Sequence, residues 1–398
     1  MYKNPTRSAW VEVNLDNYIS NLKYIKSIIN KNSKIMCVIK SDGYRAGALE
    51  LTEASIKFGI NYFGVATLSE GISLRKHFKD INILILGYTP SYLLEDLCKY
   101  DIMPNIYSYD NCKDYNEICK KYGKVGKIHL SIDTGMNRVG FIPGKEAFLD
   151  IIKISKLSNI KIDGIFSHFA KADVDEDFTK KQFETFTSFT KEIENAGVNL
   201  GLKHISNSAS ILKHREYDLD MVRPGAIMHG LYKGFFKDEK LPLKKDLQVF
   251  AMIANIKTIK KGQGVSYGHK YIATKDTKVV TIPLGYADGF PRILSGKFSV
   301  LIGGKKCPQI GNICMDQFMV DATGIDCKID DVAVLLGKDG DEEISAFDLC
   351  QLTGDIELSF IDHLNYRMPI TFIENNKIKC HRDSVSYTHL TLPTTERV

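Results

Sequence analysis

The chain has 398 residues, 44% of them hydrophobic and 25% charged, which suits a soluble globular protein of two domains with at least one large core. A net charge of +5, with 53 basic and 48 acidic residues spread along the chain, carries no nucleic-acid signature, because no basic block interleaves with aromatics. Nine cysteines, with no CxxC pair and no zinc-like spacing, suit free thiols in a reducing cytoplasm, and neither a signal-peptide core nor a membrane-spanning apolar run is visible.

In chain order, AWVEVNL (9–15) alternates like a half-buried strand and precedes the first helix. Eight β-type runs then recur at a spacing suited to βα units. They are KIMCVIK (34–40), YFGVAT (62–67), NILILG (82–87), MPNIYS (103–108), KIHLSIDTG (127–135), IDGIFSHFA (162–170), GLKHISN (201–207) and DMVRPGAIMHG (220–230). Most of the intervals hold helix-like segments such as ALELTEASIKFG and KKQFETFTSFTKEIENAG. Near-continuous apolar strands alternating with helices predict a parallel (β/α)8 barrel over residues 1–240, of α/β class, although the last interval is too short for a full helix. From 241 to 383 the pattern turns to strands and tight turns, VFAMIANIKTI, TKVVTIPLGY, FSVLIGGKK, CMDQFMVDA and DDVAVLLG, which predicts a mainly β domain. The 9–15 strand is a candidate to pair with that domain. The segment 384–398, SVSYTHLTLPTTERV, matches neither period and reads as a non-native tail.

In a barrel of this kind the active site lies at the C-terminal ends of the strands. Lys40, Asp133, Arg138, His168, Asn207, Ser208 and Arg223 all fall there. Each has a plain alternative: Asn207 and Ser208 could be only a helix N-cap, and Arg223 could serve rim carbonyls. Their convergence on one face is the argument for chemistry. The region after the last two strands is where such barrels hold a phosphate, and Ser208 with the Gly225 backbone suits that task. A phosphate site opposite a lysine suggests pyridoxal phosphate, with Lys40 as its Schiff-base anchor and Tyr44, in VIKSDGY, reaching the phosphate.

The motifs VIKSDGY, DTGMNRVG, SHFAKAD, HISNSAS, MVRPGA, VSYGHKY, GYADGFPR, GNICMDQ and NYRMP together resemble the alanine racemase family from about Ala9 to Tyr366. The resemblance implies a cytoplasmic, pyridoxal-phosphate-dependent homodimer that interconverts L- and D-alanine for peptidoglycan synthesis, with a small amino acid as its substrate. Lys40 would be the base on one face of the substrate, and Tyr267, reaching across from the partner subunit, the base on the other. Tyr44, Ser208, Gly225, Ala226 and Tyr366 would hold the phosphate. Arg223 would face the pyridine nitrogen with His204 behind it, and His168 would lie near the ring. Arg138 would bind the substrate carboxylate and Met315 would limit pocket size. Lys171, Asp173, Tyr286, Arg292 and Asn312 would line the entryway. Inversion of a stereocentre needs a base on each face of Cα, and a lysine and a tyrosine can supply both.

Four positions depart from the family pattern. Ser131 stands where a carbamylated lysine is common, Lys171 where a small residue is usual, Asn312 where an arginine is usual, and YRAG (44–47) replaces Tyr-Gly-X-Gly. The cation lost at Asn312 and the one gained at Lys171 raise serine, or a broader set of amino acids, as the alternative substrate. TRSAWVEVNL and LGYTP also resemble the racemase domains of vancomycin-resistance serine racemases. A non-catalytic pyridoxal-phosphate carrier would need neither the β domain nor Tyr267, and a related decarboxylase would not need VSYG and CMDQ.

Overall fold

The computed structural model describes residues 5–383. The described residues divide into two compact units, one of Ile19–Lys244 and one made of residues 5–18 together with 245–383. After strand β1 (Ala9–Asn14), the unit 19–244 is built on eight short strands. These are β2 (Lys34–Val38), β3 (Tyr62–Val65), β4 (Asn82–Ile85), β5 (Asn105–Ile106), β6 (Gly126–Ser131), β7 (Ile160–Phe166), β8 (Leu202–His204) and β9 (Met221–Val222). Each coincides with one of the eight apolar runs. Two parallel four-stranded sheets, β4-β3-β2-β9 and β5-β6-β7-β8, form its wall.

The two sheets close on each other through the backbone. On one seam Ile85 donates to the Met103 carbonyl and Met103 to the Ile83 carbonyl, both at 2.9 Å. On the other, Asp220 donates to the Lys203 carbonyl and Arg223 to the Ser206 carbonyl, both at 3.0 Å. The result is a (β/α)8 barrel, and Met36, Tyr62, Leu84, Met103, Phe166 and Met221 cluster inside it. The outer helices follow from amphipathic spacing. Glu176–Asn195, for example, buries Gln182, Phe186, Phe189 and Ile193 at steps of three and four, and Asp175 caps it by accepting from the Phe178 N–H. Burying Phe186 and Ile193 contributes about 1.5–3 kcal/mol each. Between β8 and β9 the short interval holds the six-residue helix Ser208–Lys213 and the single 3-10 turn Arg215–Tyr217.

The second unit is a mainly β body. It adds β10 (Leu247–Met252), β11 (Asn255–Ile259), β12 (Gly264–Val265), β13 (Tyr271–Ile272), β14 (Thr277–Ile282), β15 (Ser299–Ile302) and β16 (Lys305–Ile310). It continues with β17 (Phe318–Asp321), β18 (Val332–Asp339), β19 (Glu342–Ile344), β20 (Ile370–Glu374) and β21 (Lys377–Arg382). Its main sheet runs β11-β14-β17-β16-β15-β18-β10-β1-β20-β21. The strand at 9–14 thus lies between β10, antiparallel, and β20, parallel. Gly303 (φ 56°) and Gly304 (φ 71°) supply the two left-handed positions of the hairpin between β15 and β16, the job for which a Gly-Gly pair is suited. No helix among the described residues is long and apolar enough to cross a membrane. The 384–398 segment lies outside the described residues.

Candidate active site

The barrel's first site residue stands on an unusual piece of backbone. β2 ends at Val38, and Lys40 opens a turn in which Ser41, Asp42, Gly43, Tyr44 and Arg45 all have positive φ, between 54° and 69°. A left-handed turn costs roughly 1–2 kcal/mol per non-glycine residue, so its surroundings must hold it. They do so with hydrogen bonds. Gly43 donates to the Ile39 carbonyl at 2.8 Å, Arg45 to Ser41 at 3.0 Å and Gly47 to Asp42 at 2.8 Å. The Glu70 carboxylate accepts from the Ser41 N–H (2.8 Å) with one oxygen and from the Ala66 N–H (2.7 Å) with the other. Backbone strain therefore lies between the Lys40 amine and the Tyr44 phenol, and the turn's own bonds together with Glu70, from the helix Leu68–His77, hold it.

Tyr44 is buried and its hydroxyl lies at Gly225: a Cβ on that glycine would be only 2.7 Å from Tyr44 Oη. The Gly225 N–H donates to Ser208 Oγ at 3.0 Å. Two hydroxyls and a backbone free of a side chain thus meet beside the first turns of Ser208–Lys213 and Ala226–His229. Asn207 caps the former by accepting from the Ser210 N–H at 3.1 Å. This is the shape a phosphate needs. We expect Gly225→Ala to weaken pyridoxal phosphate binding about tenfold in a spectroscopic titration, because the methyl fills the cradle and displaces Tyr44.

Across the barrel mouth, Arg223 follows β9 directly and is almost fully buried. Its guanidinium donates to His204 Nδ1 (2.8 Å), to the Ser167 carbonyl (2.7 Å), to the Ile205 carbonyl (3.1 Å) and to His168 Nδ1 (3.2 Å), and it stacks over the Phe166 ring. Burial pushes Arg223 down to about 9, which leaves it a cation at neutral pH. Every one of these acceptors is neutral. Burial, reinforced by Arg223, holds His204 well below its ordinary value, and His168 is lowered by burial, then by Arg223, Arg138 and Lys40. Lys40, Arg138 and Arg223 therefore surround one uncharged imidazole, and the mouth is a positive, anion-seeking space.

The proton positions follow from the donor rules. Arginine can only donate, so His204 accepts at Nδ1 and carries its proton on Nε2. That proton goes to His129 Nδ1, 2.9 Å away, which places the His129 proton on its own Nε2. His129 Nε2 is buried with no partner among the described residues, and burial pushes this ring down to about 4. His129 did not stand out in the sequence. Ser131, two residues on along β6, has a buried Oγ that is likewise without a partner.

The remaining entryway candidates of the barrel lie after β7. The Lys171 ammonium pairs with Asp175 at 3.3 Å and rests 5.6 Å from the Phe178 ring centre, while Asp173 is half-buried on the same loop.

The β unit collects the other candidates along one connected edge. Tyr267 is 73% exposed, and its carbonyl accepts from Asn312 Nδ2 at 2.7 Å. The Tyr286 N–H donates to the Cys314 carbonyl and the Ala287 N–H to the Met315 carbonyl, both at 3.0 Å. Beneath them the buried Asp288 carboxylate binds Arg7 (2.9 Å), Arg367 (3.1 Å) and the Gly285 N–H (2.9 Å). Tyr286, Arg292, Met315 and Tyr366 are exposed. Sequence reasoning missed Arg7 and Asp288, whose pairing spans most of the chain.

The lysine, the phosphate-shaped cradle and a buried cation suited to a pyridine nitrogen fit pyridoxal phosphate. With a mainly β unit following the barrel, they define a barrel class of pyridoxal-phosphate-dependent isomerases. The families described as alanine racemase N-terminal domain and alanine racemase C-terminal domain match residues 13–233 and 247–372. The chain belongs to the alanine racemase family. It is 38% identical over 382 residues to alanine racemase of Clostridium novyi, which covers 95% of this chain and 98% of that one. Alanine racemase of Clostridium difficile 630 has the same fold (TM-score 0.91, 36% identity, 96% of this chain and 100% of that chain). A histidine racemase from Leuconostoc mesenteroides is also similar (TM-score 0.86, 28% identity, 94% and 100% covered), so the fold serves more than one side chain.

Proposed function

We propose that this chain interconverts L- and D-alanine as a homodimer, with Lys40 on one face of the substrate and Tyr267 of the second copy on the other. When bound, pyridoxal phosphate supplies an electron sink that makes the α-proton removable. The rest is the work of the chain's own residues. Lys40 Nζ would anchor the cofactor at rest and, once the substrate amine has displaced it, would be the free amine that exchanges a proton with the substrate Cα, while Tyr267 Oη would exchange one from the other side. In one direction the lysine accepts and the phenol gives; in the other they trade roles. Arg138 binds the carboxylate. Tyr44, Ser208, the backbone of Gly225 and Ala226, and Tyr366 hold the phosphate. Arg223, a cation at neutral pH, would donate to the ring nitrogen and keep that nitrogen unprotonated, which favours return of a proton over side reactions.

The observation that carries the reading is the buried Arg223 facing only neutral acceptors, within the field that also contains Lys40 and Arg138. The homodimer is supported by the exposed Tyr267, Met315 and Tyr366 side chains, which lie on the β unit away from its core. The labour divides between a cofactor-holding barrel and a β unit that supplies Tyr267 to the partner. All nine cysteines are free thiols, which supports a cytoplasmic setting, where D-alanine would feed peptidoglycan synthesis.

Serine is the second reading. Lys171 is paired with Asp175, and the amide nitrogen of the buried Asn312 is bonded to the Tyr267 backbone, so the cation gained at one position and the amide donor at the other each already have a partner within the chain. Alanine is therefore the expected substrate. Side-by-side formation of D-alanine and D-serine by the purified, cofactor-loaded protein tests this: we expect at least about a tenfold preference for alanine, since a site with no partner for the hydroxyl gains nothing from it. Equal turnover of serine would overturn the assignment.

A further inference from the structure

We propose that Asn312 is a positioning residue for Tyr267, fixing the phenol through its backbone; the inference rests on the reading of Tyr267 as a base. The Tyr267 side chain is 73% exposed, so little side-chain packing from its own chain orients it. What orients it is a strapped turn. Ser266 adopts φ 64°, ψ −175°, a conformation otherwise left to glycine, and Gly268 (φ 67°) and His269 (φ 40°) follow on the positive side. Such a turn persists only where its surroundings determine it.

Asn312 supplies that determination from both ends. Its Nδ2 donates to the Tyr267 carbonyl at 2.7 Å, and its own carbonyl accepts from Ser266 Oγ, also at 2.7 Å. The residue is itself buried. Gly311 makes the approach possible, because a Cβ there would stand 2.7 Å from the Val265 carbonyl oxygen. On the far side of the turn the His269 ring packs over Gly264, where a Cβ would lie 2.3 Å from His269 Cγ. The side-chain amide thus holds the Tyr267 carbonyl while the Asn312 backbone carbonyl holds the Ser266 hydroxyl, and together they fix the residues on which the phenol stands. A misplacement of about 1 Å in a reacting group can cost about 100-fold in rate, so a residue that never touches substrate can still govern one proton transfer.

The test uses the full-length, cofactor-loaded protein and two substitutions. Asn312→Ala removes the side-chain bond to the Tyr267 carbonyl and leaves the backbone bond to Ser266 in place. Asn312→Asp keeps the shape but loses the donor facing the Tyr267 carbonyl. We expect both to lower racemisation about 10- to 100-fold. Exchange of the α-proton into deuterium oxide should fall equally for the enantiomer that needs Tyr267 and stay unchanged for the enantiomer that needs Lys40. Amide hydrogen exchange at Gly268 and His269 should accelerate in the same variants without cofactor. Partial rescue by Asn312→Gln, which retains the donor, is expected. Equal loss of exchange for both enantiomers would show general destabilisation and overturn the proposal, as would normal rates in both variants. If Tyr267→Phe itself left racemisation intact, the underlying assignment of the base would fail instead, so the two failures are separable.

Discussion

Tyr267→Phe should lower racemisation by about 10²- to 10⁴-fold, the usual worth of one positioned acid–base group, or roughly 2.7–5.5 kcal/mol in barrier. The substitution removes a single oxygen from a ring that is 73% exposed. Folding should therefore be unaffected, with stability changing by no more than about 0.5 kcal/mol. The informative signature is asymmetry. In deuterium oxide one enantiomer of alanine should go on exchanging its α-proton with retention, through Lys40, while the other becomes nearly inert. A non-catalytic cofactor carrier would show no racemisation before or after the change. A one-base racemase would lose neither enantiomer's exchange selectively.

That expectation joins two residues which the sequence could place only by type. The eight apolar runs with helical intervals were enough for a barrel, because parallel strands buried on both faces are apolar throughout, and all eight coincide with strands. The runs overreach at their C-terminal ends. Strand pairing stops at Val38, Phe166 and Val222, and the chain then spends its next residues on the site. Lys40, His168 and Arg223 follow the strands rather than ending them.

The left-handed turn from Ser41 to Arg45 was not legible. Only one of its five residues is glycine, so local preference argues against the conformation that Glu70 and the flanking carbonyls impose. His129 was invisible for a different reason. Its partner His204 lies 75 residues away, and a histidine inside an apolar strand gives no local sign of a neighbour. Asn312 could be located by motif at an entryway position, whereas its hydrogen bond to the Tyr267 carbonyl exists only in the folded turn. Residue types that perform chemistry can be read from a chain; the backbone that aims them is largely a tertiary property.

Lys40→Ala should be the more severe change, lowering racemisation by at least about 10⁴-fold, because on the proposed mechanism one amine is both the cofactor's covalent anchor and a base. The two losses can be separated. The phosphate cradle of Tyr44, Ser208 and Gly225 and the Arg223 cation belong to other elements, so the variant should still bind pyridoxal phosphate, more weakly, as the free aldehyde. Its absorbance should shift accordingly, and the cofactor should leave on dialysis. Added small amines should restore a fraction of α-proton exchange on the lysine face, since they can occupy the vacated volume and act as a base there. They should not restore the other face beyond what Tyr267 already provides. Lys40 is only half-buried and the turn that follows it is fixed by backbone and Glu70 bonds, so the apoprotein should keep its unfolding midpoint within a few degrees. Failure of the variant to bind any cofactor would mean that the anchor bond, rather than the cradle, supplies most of the affinity. Retained racemisation would remove Lys40 from the reaction altogether and leave the cationic mouth of the barrel without its central role.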